Sequence, residues 1–235
     1  MNKGGRMQTK QWINLYEENK VVPFCAYAES EYISDYMKRN NNFYEIWLLR
    51  YIKNNYPKHG CIVDIGSNIG NHVKYYANFL SAEIIYCFEP HAVNFSLLKE
   101  NLQERCIAYP CALGATRGKC SLTIPVESNS GHYQVVQKEI ENDSIDLVPL
   151  DEFNFSNVTM IKIDVEGYEY DVVLGAIQTI LKYKPVLFIE TRNRRTIDLL
   201  LLLGYRMRNH FYEGGYSIGY VPTIEFVYED YKDAK

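Results

Sequence analysis

The stretch VDIGSNIGNH, Val63 to His72, decides the fold. An apolar run precedes it, and the run continues through Ile65 with one interruption, Asp64. β-Branched residues in such a run predict a strand that is buried on both faces. Gly66 and Gly70 then bracket a short turn, and apolar residues at helical spacing begin directly after it. The stretch therefore predicts strand, glycine turn and helix, an arrangement that lets a ligand approach the backbone at the positive end of a helix.

The nature of that ligand is indicated by the glycine spacing and by the next strand. The spacing is G-x-x-x-G, whereas a dinucleotide site has G-x-G-x-x-G, so a pyrophosphate ligand is not the first expectation. A second buried strand, IIYCFE, ends at Glu89. An acidic residue about twenty positions beyond such a turn typically accepts hydrogen bonds from both ribose hydroxyls of an adenosine ligand. The combination favours an adenosine site over a solvated strand-end carboxylate.

Size and composition limit the class of protein. A chain of 235 residues is long enough for one sizeable α/β domain. A net charge of −4 and a pI near 5.8 give no support to non-specific nucleic-acid binding. The segment MNKGGRMQTKQW lacks the apolar run of a signal peptide, and the leucine run at 199–203 is too short to span a bilayer. The cysteines form no C-x-x-C pair, which suits a cytoplasmic protein.

The order of predicted elements divides the chain into two parts. Residues 1–58 are predicted to form an N-terminal helical extension, with mainly helix from Gln11 to Tyr56, and residues 59–235 form the main domain. In the main domain strands alternate with helices, which predicts an α/β fold with a mostly parallel sheet covered on both faces. Two final strands, Tyr205 to Phe211 and Thr223 to Tyr228, are predicted to pair antiparallel. Ligands of such sheets bind at the carboxyl ends of the strands.

Five segments carry a resemblance to a known family: VDIGSNIGNH, CFEPHAVNFSLL, CALG, VPLDEF and IKIDVEGYEYDVVLGA. In this order they resemble the motifs of the FkbM family of S-adenosylmethionine-dependent methyltransferases, from about Phe43 to Thr191. DIGSNIG is common to class I methyltransferases, whereas KIDVEGYE after LDEF is more specific for this family. The resemblance implies the three-layer, Rossmann-like class I fold with a seven-stranded sheet. It also implies O-methylation, often of a sugar hydroxyl in a glycan or natural product.

The residues at the carboxyl ends of the predicted strands form the rim of the sheet. They match the roles that this family gives to a cofactor site. Asp64 and the turn at 66–70 are expected to hold the methionine moiety of S-adenosylmethionine, and Glu89 the ribose. Asp164 is expected beside the sulfonium, where an anion suits a cation. The residues expected around the adenine are Pro90, His91, Cys111 and Ala112. The turn residues assigned to the same site are Gly66, Ser67, Asn68 and Gly70.

Methyl transfer to an aliphatic hydroxyl also needs a group that removes the hydroxyl proton. The predicted catalytic residues are Asp164, Glu166, Glu190 and His210. For Glu166 a purely structural carboxylate at a helix start stays open, and for each histidine an ordinary surface or core position. The three carboxylates also resemble a Mg²⁺ site, but no histidine–carboxylate spacing supports one, so no metal is predicted.

Several arginines follow the predicted strand that ends at Glu190 or lie on the next predicted strand, Tyr205 to Phe211. They suggest how the acceptor is bound. Cations at a helix start oppose the helix dipole, and a phosphate on the acceptor, as in a nucleotide-linked sugar, would explain them. A solvated basic face is the alternative. The predicted substrate-binding residues are Arg192, Arg194, Arg206, Arg208 and His132.

Taken together, these patterns favour a cytoplasmic S-adenosylmethionine-dependent O-methyltransferase of a sugar or glycan precursor, with no nucleic-acid partner and no membrane span. The alternatives are a methyltransferase of a non-sugar natural product, a nicotinamide-dependent oxidoreductase and an inactive binding module on the same fold. The absent G-x-G-x-x-G disfavours the oxidoreductase, and the intact acidic rim disfavours the inactive module. The oligomeric state stays open, with a homodimer among the options.

Overall fold

The computed structural model describes residues 9–123, 134–136, 144–212 and 221–231. The chain begins with β1 (Lys10–Glu17), β2 (Lys20–Tyr27), α1 (Tyr32–Asn40) and α2 (Ile46–Asn55). An alternating part follows, with β3 (Lys58–Ile65), α3 (Asn71–Phe79), β4 (Ser81–Phe88), α4 (Ala92–Asn101) and β5 (Cys106–Tyr109). Four short strands and a 3₁₀ turn come next: β6 (Ala112–Leu113), β7 (Gly118–Thr123), β8 (Gln134–Val136), β9 (Ile145–Val148) and Leu150–Glu152. The last elements are β10 (Val158–Ile163), α5 (Glu169–Leu174), α6 (Ile177–Tyr183), β11 (Val186–Glu190), α7 (Arg194–Leu202), β12 (Tyr205–Phe211) and β13 (Thr223–Tyr228).

Seven strands form the central sheet, in the order β12-β13-β11-β10-β3-β4-β5. The pairs from β11 through β5 are parallel, and β13 runs antiparallel to both β11 and β12. The sheet is built outward in both directions from β3, since β4 lies on one side of it and β10 on the other. Ligand crevices of open α/β sheets lie at such a point. The predicted α/β class, the mostly parallel sheet and the antiparallel final strands are confirmed.

Two hydrophobic clusters cover the two faces of this sheet. On β3, Ile62 packs with side chains of α2, α3 and α4, whereas Val63 and Ile65 pack on the opposite face with side chains of α5, α6 and α7. Burial on both faces explains why the strands read as nearly continuous apolar runs. The predicted three layers are therefore present. Within the described ranges no helix is both long and apolar enough to cross a bilayer.

The prediction of helix at the start of the chain is wrong between residues 10 and 27. β1 and β2 form an antiparallel hairpin whose register runs from Lys10↔Tyr27 to Glu17↔Lys20, which leaves a two-residue loop. The loop begins at Glu18, which has a φ of +52°. Along the second half of β1 every other side chain turns inward, and this period of two belongs to a strand. Helix begins only with α1, so the N-terminal extension is part hairpin and part helix.

A second, smaller sheet has the strand order β6-β9-β7-β8. In it, β7 and β8 pair antiparallel where Ser121–Thr123 meet Gln134–Val136. β6 follows β5 directly, so this small sheet lies beside the carboxyl ends of the central strands. Leu122 and Val135 consequently contribute to the wall of the cavity that opens there.

Candidate active site

A cavity of about 570 Å³ opens at the carboxyl ends of the central strands. This volume lies within the roughly 300–1,000 Å³ that small-molecule sites occupy. The topology brings together residues that are more than one hundred positions apart in sequence. The predicted residues that line the cavity are Asp64, Gly66, Ser67, Asn68, Glu89, Pro90, Cys111, Ala112, Asp164, Glu166 and Glu190.

The glycine turn is fixed between two strands. The backbone N–H groups of Gly66 and Ser67 both donate to the Phe88 carbonyl oxygen at 3.0 Å. Gly66 has a φ of +80°, and a Cβ there would lie 1.7 Å from the backbone oxygen of Asp164. No other residue fits without moving β10. Gly70, at a φ of +91°, ends the turn and precedes α3 without joining the cavity wall.

Glu89 is held by the backbone on both oxygens. Its Oε2 accepts the N–H of Asn68 and its Oε1 the N–H of His91, each at 2.8 Å. Burial raises the pKa of Glu89 to about 7, although these two hydrogen bonds act to lower it. The Asn94 side chain makes a third hydrogen bond to this carboxylate, which has about four acceptor positions, so some acceptor capacity is left for a ligand hydroxyl. His91 therefore contributes through its backbone, and its imidazole caps α4 instead of lining the cavity.

Buried asparagines connect this carboxylate and the turn to the N-terminal hairpin. The side chain of Asn94 hydrogen-bonds to Glu89 and accepts the Tyr27 hydroxyl at 2.5 Å. Asn101 donates to the carbonyl oxygen of Ile69 at 2.8 Å and exchanges two hydrogen bonds with the backbone of Cys25 at 2.8 and 2.9 Å. These contacts were not predicted from the sequence, because they join segments that no motif connects.

A lysine that the sequence reasoning missed lies among the carboxylates. The Nζ of Lys162 is 2.9 Å from Asp164 Oδ2, and the lysine side chain is 4% exposed. Lys162 also pairs in register with Asp64 across β10 and β3. Burial acts to lower the pKa of Lys162, but Asp164, Asp64 and Glu45 outweigh burial and raise it, so the ammonium stays charged. The available signal was a lysine within MIKIDV, two residues before Asp164 and hence on the same strand face.

The three predicted catalytic carboxylates have different protonation states. Asp164 and Glu190 hydrogen-bond to each other. Burial and the Asp164 charge raise the pKa of Glu190 strongly, so Glu190 carries a proton. Burial also acts on Asp164, but the Lys162 ammonium outweighs it and lowers the pKa of Asp164. Burial and Asp164 raise the pKa of Glu166 to about 8. At neutral pH, Asp164 is thus an anion, and Glu190 and most of Glu166 are acids.

Two buried oxygens in the wall have no hydrogen-bond partner within the described part of the chain. They are Oδ1 of Asp64 and Oδ1 of Asn68, and both residues line the cavity. An unsatisfied buried acceptor costs about 1–3 kcal/mol. These atoms therefore fit a ligand that brings hydrogen-bond donors, and an ammonium group suits the carboxylate of Asp64.

The N-terminal segment supplies a wall that the sequence reasoning did not assign. Tyr32 at the start of α1, and Tyr44 and Glu45 just before α2, line the cavity. His72 in the first turn of α3 lies on the same wall, and Phe211 contributes from β12. This part of the cavity wall is consequently aromatic, with one acidic and one imidazole side chain.

The structure does not bring the predicted substrate arginines to the cavity. The Nε of Arg194 pairs with Asp198 Oδ1 at 2.8 Å on the exposed side of α7. Arg208 donates to the Tyr56 hydroxyl at 3.1 Å and lies 3.9 Å from Glu225. The physical reason is position, since α7 begins beyond the carboxyl end of β11, and on β12 only the last residue, Phe211, reaches the cavity wall. The remaining two, Arg192 and Arg206, are exposed outside the wall.

The predicted histidines also lie elsewhere. His210 is exposed on β12, and its neighbour Phe211 faces the cavity because adjacent strand residues point to opposite sides. His132 lies outside the described residues. Among residues 9–123, 134–136, 144–212 and 221–231, no three His, Cys, Asp or Glu side chains form a metal-ligand group. The positive charge beside Asp164 and Asp64 comes from Lys162.

This fold and cavity define an α/β protein with the sheet of class I methyltransferases. The family model of the "Methyltransferase FkbM domain" matches residues 64–216, and the chain belongs to this family. "Methyltransferase 1" of Beauveria bassiana (strain ARSEF 2860) is 27% identical in an alignment of length 148 that covers 51% of this chain and 59% of that protein. The chain thus matches somewhat more than half the length of this curated relative.

Solved structures agree on the fold. Methyltransferase FkbM from Methylobacillus flagellatus KT superposes with a TM-score of 0.53 at 21% identity, over 72% of this chain and 44% of that one. A Streptococcus pneumoniae protein described as a candidate tRNA (m1A22) methyltransferase gives 0.51 at 10% identity, over 80% of this chain and 72% of that one. At these identities the likeness concerns the fold alone. The expected exclusion of nucleic acid therefore stays a prediction.

Proposed function

We propose that this protein is an S-adenosylmethionine-dependent O-methyltransferase that acts on a sugar hydroxyl. The observation that carries the proposal is Glu89, whose two oxygens are each fixed by one backbone N–H beside the glycine turn. The carboxylate lines the cavity and keeps acceptor capacity beyond its bonds to the protein, which suits the hydroxyls of a ribose.

The residues present fit S-adenosylmethionine. Asp64, with its unpaired buried Oδ1, would accept the ammonium of the methionine moiety, and Glu89 would accept the ribose hydroxyls. The anionic Asp164 is suited to a place near the sulfonium charge. The bound donor supplies an electrophilic methyl group, and alignment of acceptor and donor can supply roughly 7–11 kcal/mol of the barrier reduction.

Support for a sugar acceptor comes from aromatic and acidic side chains in the cavity wall. Tyr32, Tyr44 and Phe211 offer aromatic faces, while Glu190 and Glu166 offer acid groups that can donate hydrogen bonds to ring hydroxyls. Apolar walls with few polar groups are the usual composition of a small-molecule site. Because the predicted arginines lie off this wall, the proposal does not require a phosphate or nucleotide on the sugar.

The test is a transfer screen with labelled donor. Purified protein is incubated with methyl-labelled S-adenosylmethionine and with free sugars, nucleotide-linked sugars, glycan fragments, phenols and tRNA, followed by mass spectrometry. We expect one added methyl group on a sugar oxygen. Transfer to phenols or tRNA alone would refute the sugar assignment. Calorimetry with S-adenosylhomocysteine and with NAD tests the cofactor, and binding of NAD alone would favour the oxidoreductase.

A further inference from the structure

The three carboxylates at the rim leave the proton of the acceptor without a ready base near neutral pH. Asp164 is tied to Lys162, Glu190 already carries a proton, and burial keeps most of Glu166 protonated below about pH 8. A group of a different kind lines the same cavity. His72, in the first turn of α3, lies beside Glu45, which directly precedes α2.

Glu45 and His72 are brought together by a specific clamp. The side chain of Asn71 accepts the backbone N–H of Tyr44 at 3.0 Å and donates to the Tyr44 carbonyl at 2.9 Å. These two hydrogen bonds fix residues 44 and 45 against the start of α3. Glu45 has a φ of +53°, a left-handed conformation that costs a non-glycine residue energy and is often found at functional sites. Its carboxylate Oε2 then lies 3.0 Å from Nε2 of His72.

The surroundings of His72 suit a group that gains a proton during the reaction. The side chain is 8% exposed, and the titratable groups that act directly on it are Glu45, Asp164 and Tyr76. The Glu45 and Asp164 carboxylates stabilise the imidazolium once it forms. The Nε2–Oε2 pair lacks hydrogen-bond alignment, as catalytic pairs often do before the substrate binds.

We propose that His72 is the general base that deprotonates the acceptor hydroxyl and that Glu45 is a positioning residue that orients its imidazole. The inference rests on the proposed O-methyltransferase function. The acceptor O–H bond breaks and its proton moves to the free imidazole nitrogen. The acceptor oxygen bonds to the methyl carbon as the carbon–sulfur bond breaks and leaves its electron pair on sulfur. The imidazolium, held by Glu45, afterwards releases its proton to water.

The experiment measures steady-state kinetics on the most reactive sugar of the labelled-donor screen. We expect His72→Gln to lower kcat by about 10²–10⁴-fold, the usual loss for a general base, with KM for the acceptor changed less than about threefold. Glu45→Gln should lower kcat about tenfold or more, since an unoriented imidazole loses most of its advantage. Glu45→Asp should recover part of that loss. Glu18→Gln is the matched control, because Glu18 has a φ of +52° and lies on the hairpin loop outside the cavity.

Two readouts separate catalysis from structure. Calorimetry with S-adenosylhomocysteine should give the same affinity in wild type, His72→Gln and Glu45→Gln, and added imidazole should restore part of the kcat of His72→Ala. Wild-type kcat in His72→Gln, with His72→Ala active without imidazole, would overturn the inference. So would a parallel loss of product affinity, which would assign His72 to cofactor binding. A wild type that methylates no sugar refutes the proposed function itself.

Discussion

Replacing Glu89 by glutamine removes the charge of the carboxylate and keeps its shape. In the wild type, two backbone N–H groups donate to the two oxygens at 2.8 Å and the Asn94 side chain makes a third hydrogen bond, which leaves acceptor capacity for the ribose. Glutamine places an NH₂ group where one acceptor is needed, against either a backbone donor or a hydroxyl. Losing a charged acceptor costs about 1.5–3 kcal/mol. The affinity for S-adenosylhomocysteine should therefore fall about 10- to 150-fold.

The pH dependence makes the same experiment more specific. Burial raises the pKa of Glu89 to about 7, and only the ionised form has its full acceptor capacity, since protonation replaces one acceptor position with an O–H donor. The wild-type affinity should hence be about tenfold weaker at pH 6 than at pH 8, since the ionised fraction falls from about nine tenths to about one tenth. The affinity of Glu89→Gln should lack this component. Titration calorimetry at pH 6, 7 and 8 measures both effects.

The stability of the protein responds in the opposite direction. The folded pKa of Glu89 exceeds the ordinary value of 4.5, so the folded state binds more protons between pH 4.5 and about 7. This contribution to stability is present at acidic pH and is lost as pH rises through that window, by on the order of 3 kcal/mol. Glu89→Gln should lack that loss, as measured by urea unfolding. Glu83→Gln, an exposed carboxylate on β4, is the matched control. A folded Glu89→Gln protein with wild-type affinity across this pH range would refute the ribose assignment.

Three further substitutions test the frame of the site. Gly66→Ala should destabilise the protein by about 3 kcal/mol or prevent folding, because its Cβ would meet the Asp164 backbone. Gly118→Ala is the control, since a Cβ there has open space, and its free energy of unfolding in urea should stay within about 0.5 kcal/mol of the wild-type value. Lys162→Met should cost about 2–3 kcal/mol at pH 8, below the value for fully buried pairs because Asp164 keeps 27% exposure. Because Lys162 lowers the pKa of Asp164 below its ordinary value of 3.8, the wild-type ion pair is lost only as pH falls below that value, and a deficit that is undiminished there in urea unfolding would contradict the ion-pair argument. Tyr27→Phe removes the hydroxyl that holds Asn94 and should weaken S-adenosylhomocysteine binding by about 0.5–1.5 kcal/mol in calorimetry. Tyr16 is exposed, and an equal loss of affinity in Tyr16→Phe would mean that the effect comes from the hairpin in general and not from the bond to Asn94.

The core of the fold and the part of the cavity at the strand ends were predictable because local patterns encode them. The apolar run before Gly66 identifies a buried strand, and the strand–helix alternation identifies the parallel sheet. The rule that ligands bind at the carboxyl ends of strands then gathers Asp64, Glu89 and Asp164 at one edge. The cavity contains all three, since the sheet geometry fixes strand ends once the strand order is given.

The hairpin was missed for a physical reason that the sequence nevertheless contains. Ile13, Leu15 and Glu17 alternate with outward residues, and EENK between two strand-like runs suits a tight turn. Glu17 conceals the pattern because it is charged and yet buried. Its carboxylate is satisfied by Arg50, which donates from Nε and Nη2 at 2.9 and 2.8 Å. Because the third inward residue, Glu17, is charged and buried in an ion pair, hydrophobicity alone does not reveal the alternating strand pattern.

The part of the cavity wall that the N-terminal segment and His72 form was not predictable, because its residues meet only after folding. Glu45 and His72 are separated by the whole of α2 and β3, and nothing in either local sequence indicates the other. The prediction for the arginines was wrong for the opposite reason, since residues that are close in sequence do not share a site. Their spacing suggested one anion site, but Arg194 is used by Asp198 on the surface of α7 and Arg208 by Glu225 on the edge of the sheet. Charge spacing along a chain does not determine which charges share a partner.

The N-terminal segment and the family-matched region form one site, and three asparagines explain how. The match begins at residue 64, yet Asn71 binds the backbone of Tyr44, Asn94 binds the Tyr27 hydroxyl, and Asn101 binds the backbone of Cys25. Two of these bonds are made to backbone atoms, which leaves the side chains of the N-terminal segment free to vary. The wall facing the acceptor can therefore change by substitution at residues 32–45 while the glycine turn and Glu89 keep their geometry. Acceptor specificity is accordingly expected to depend on this segment, and cofactor affinity on the asparagines that hold it.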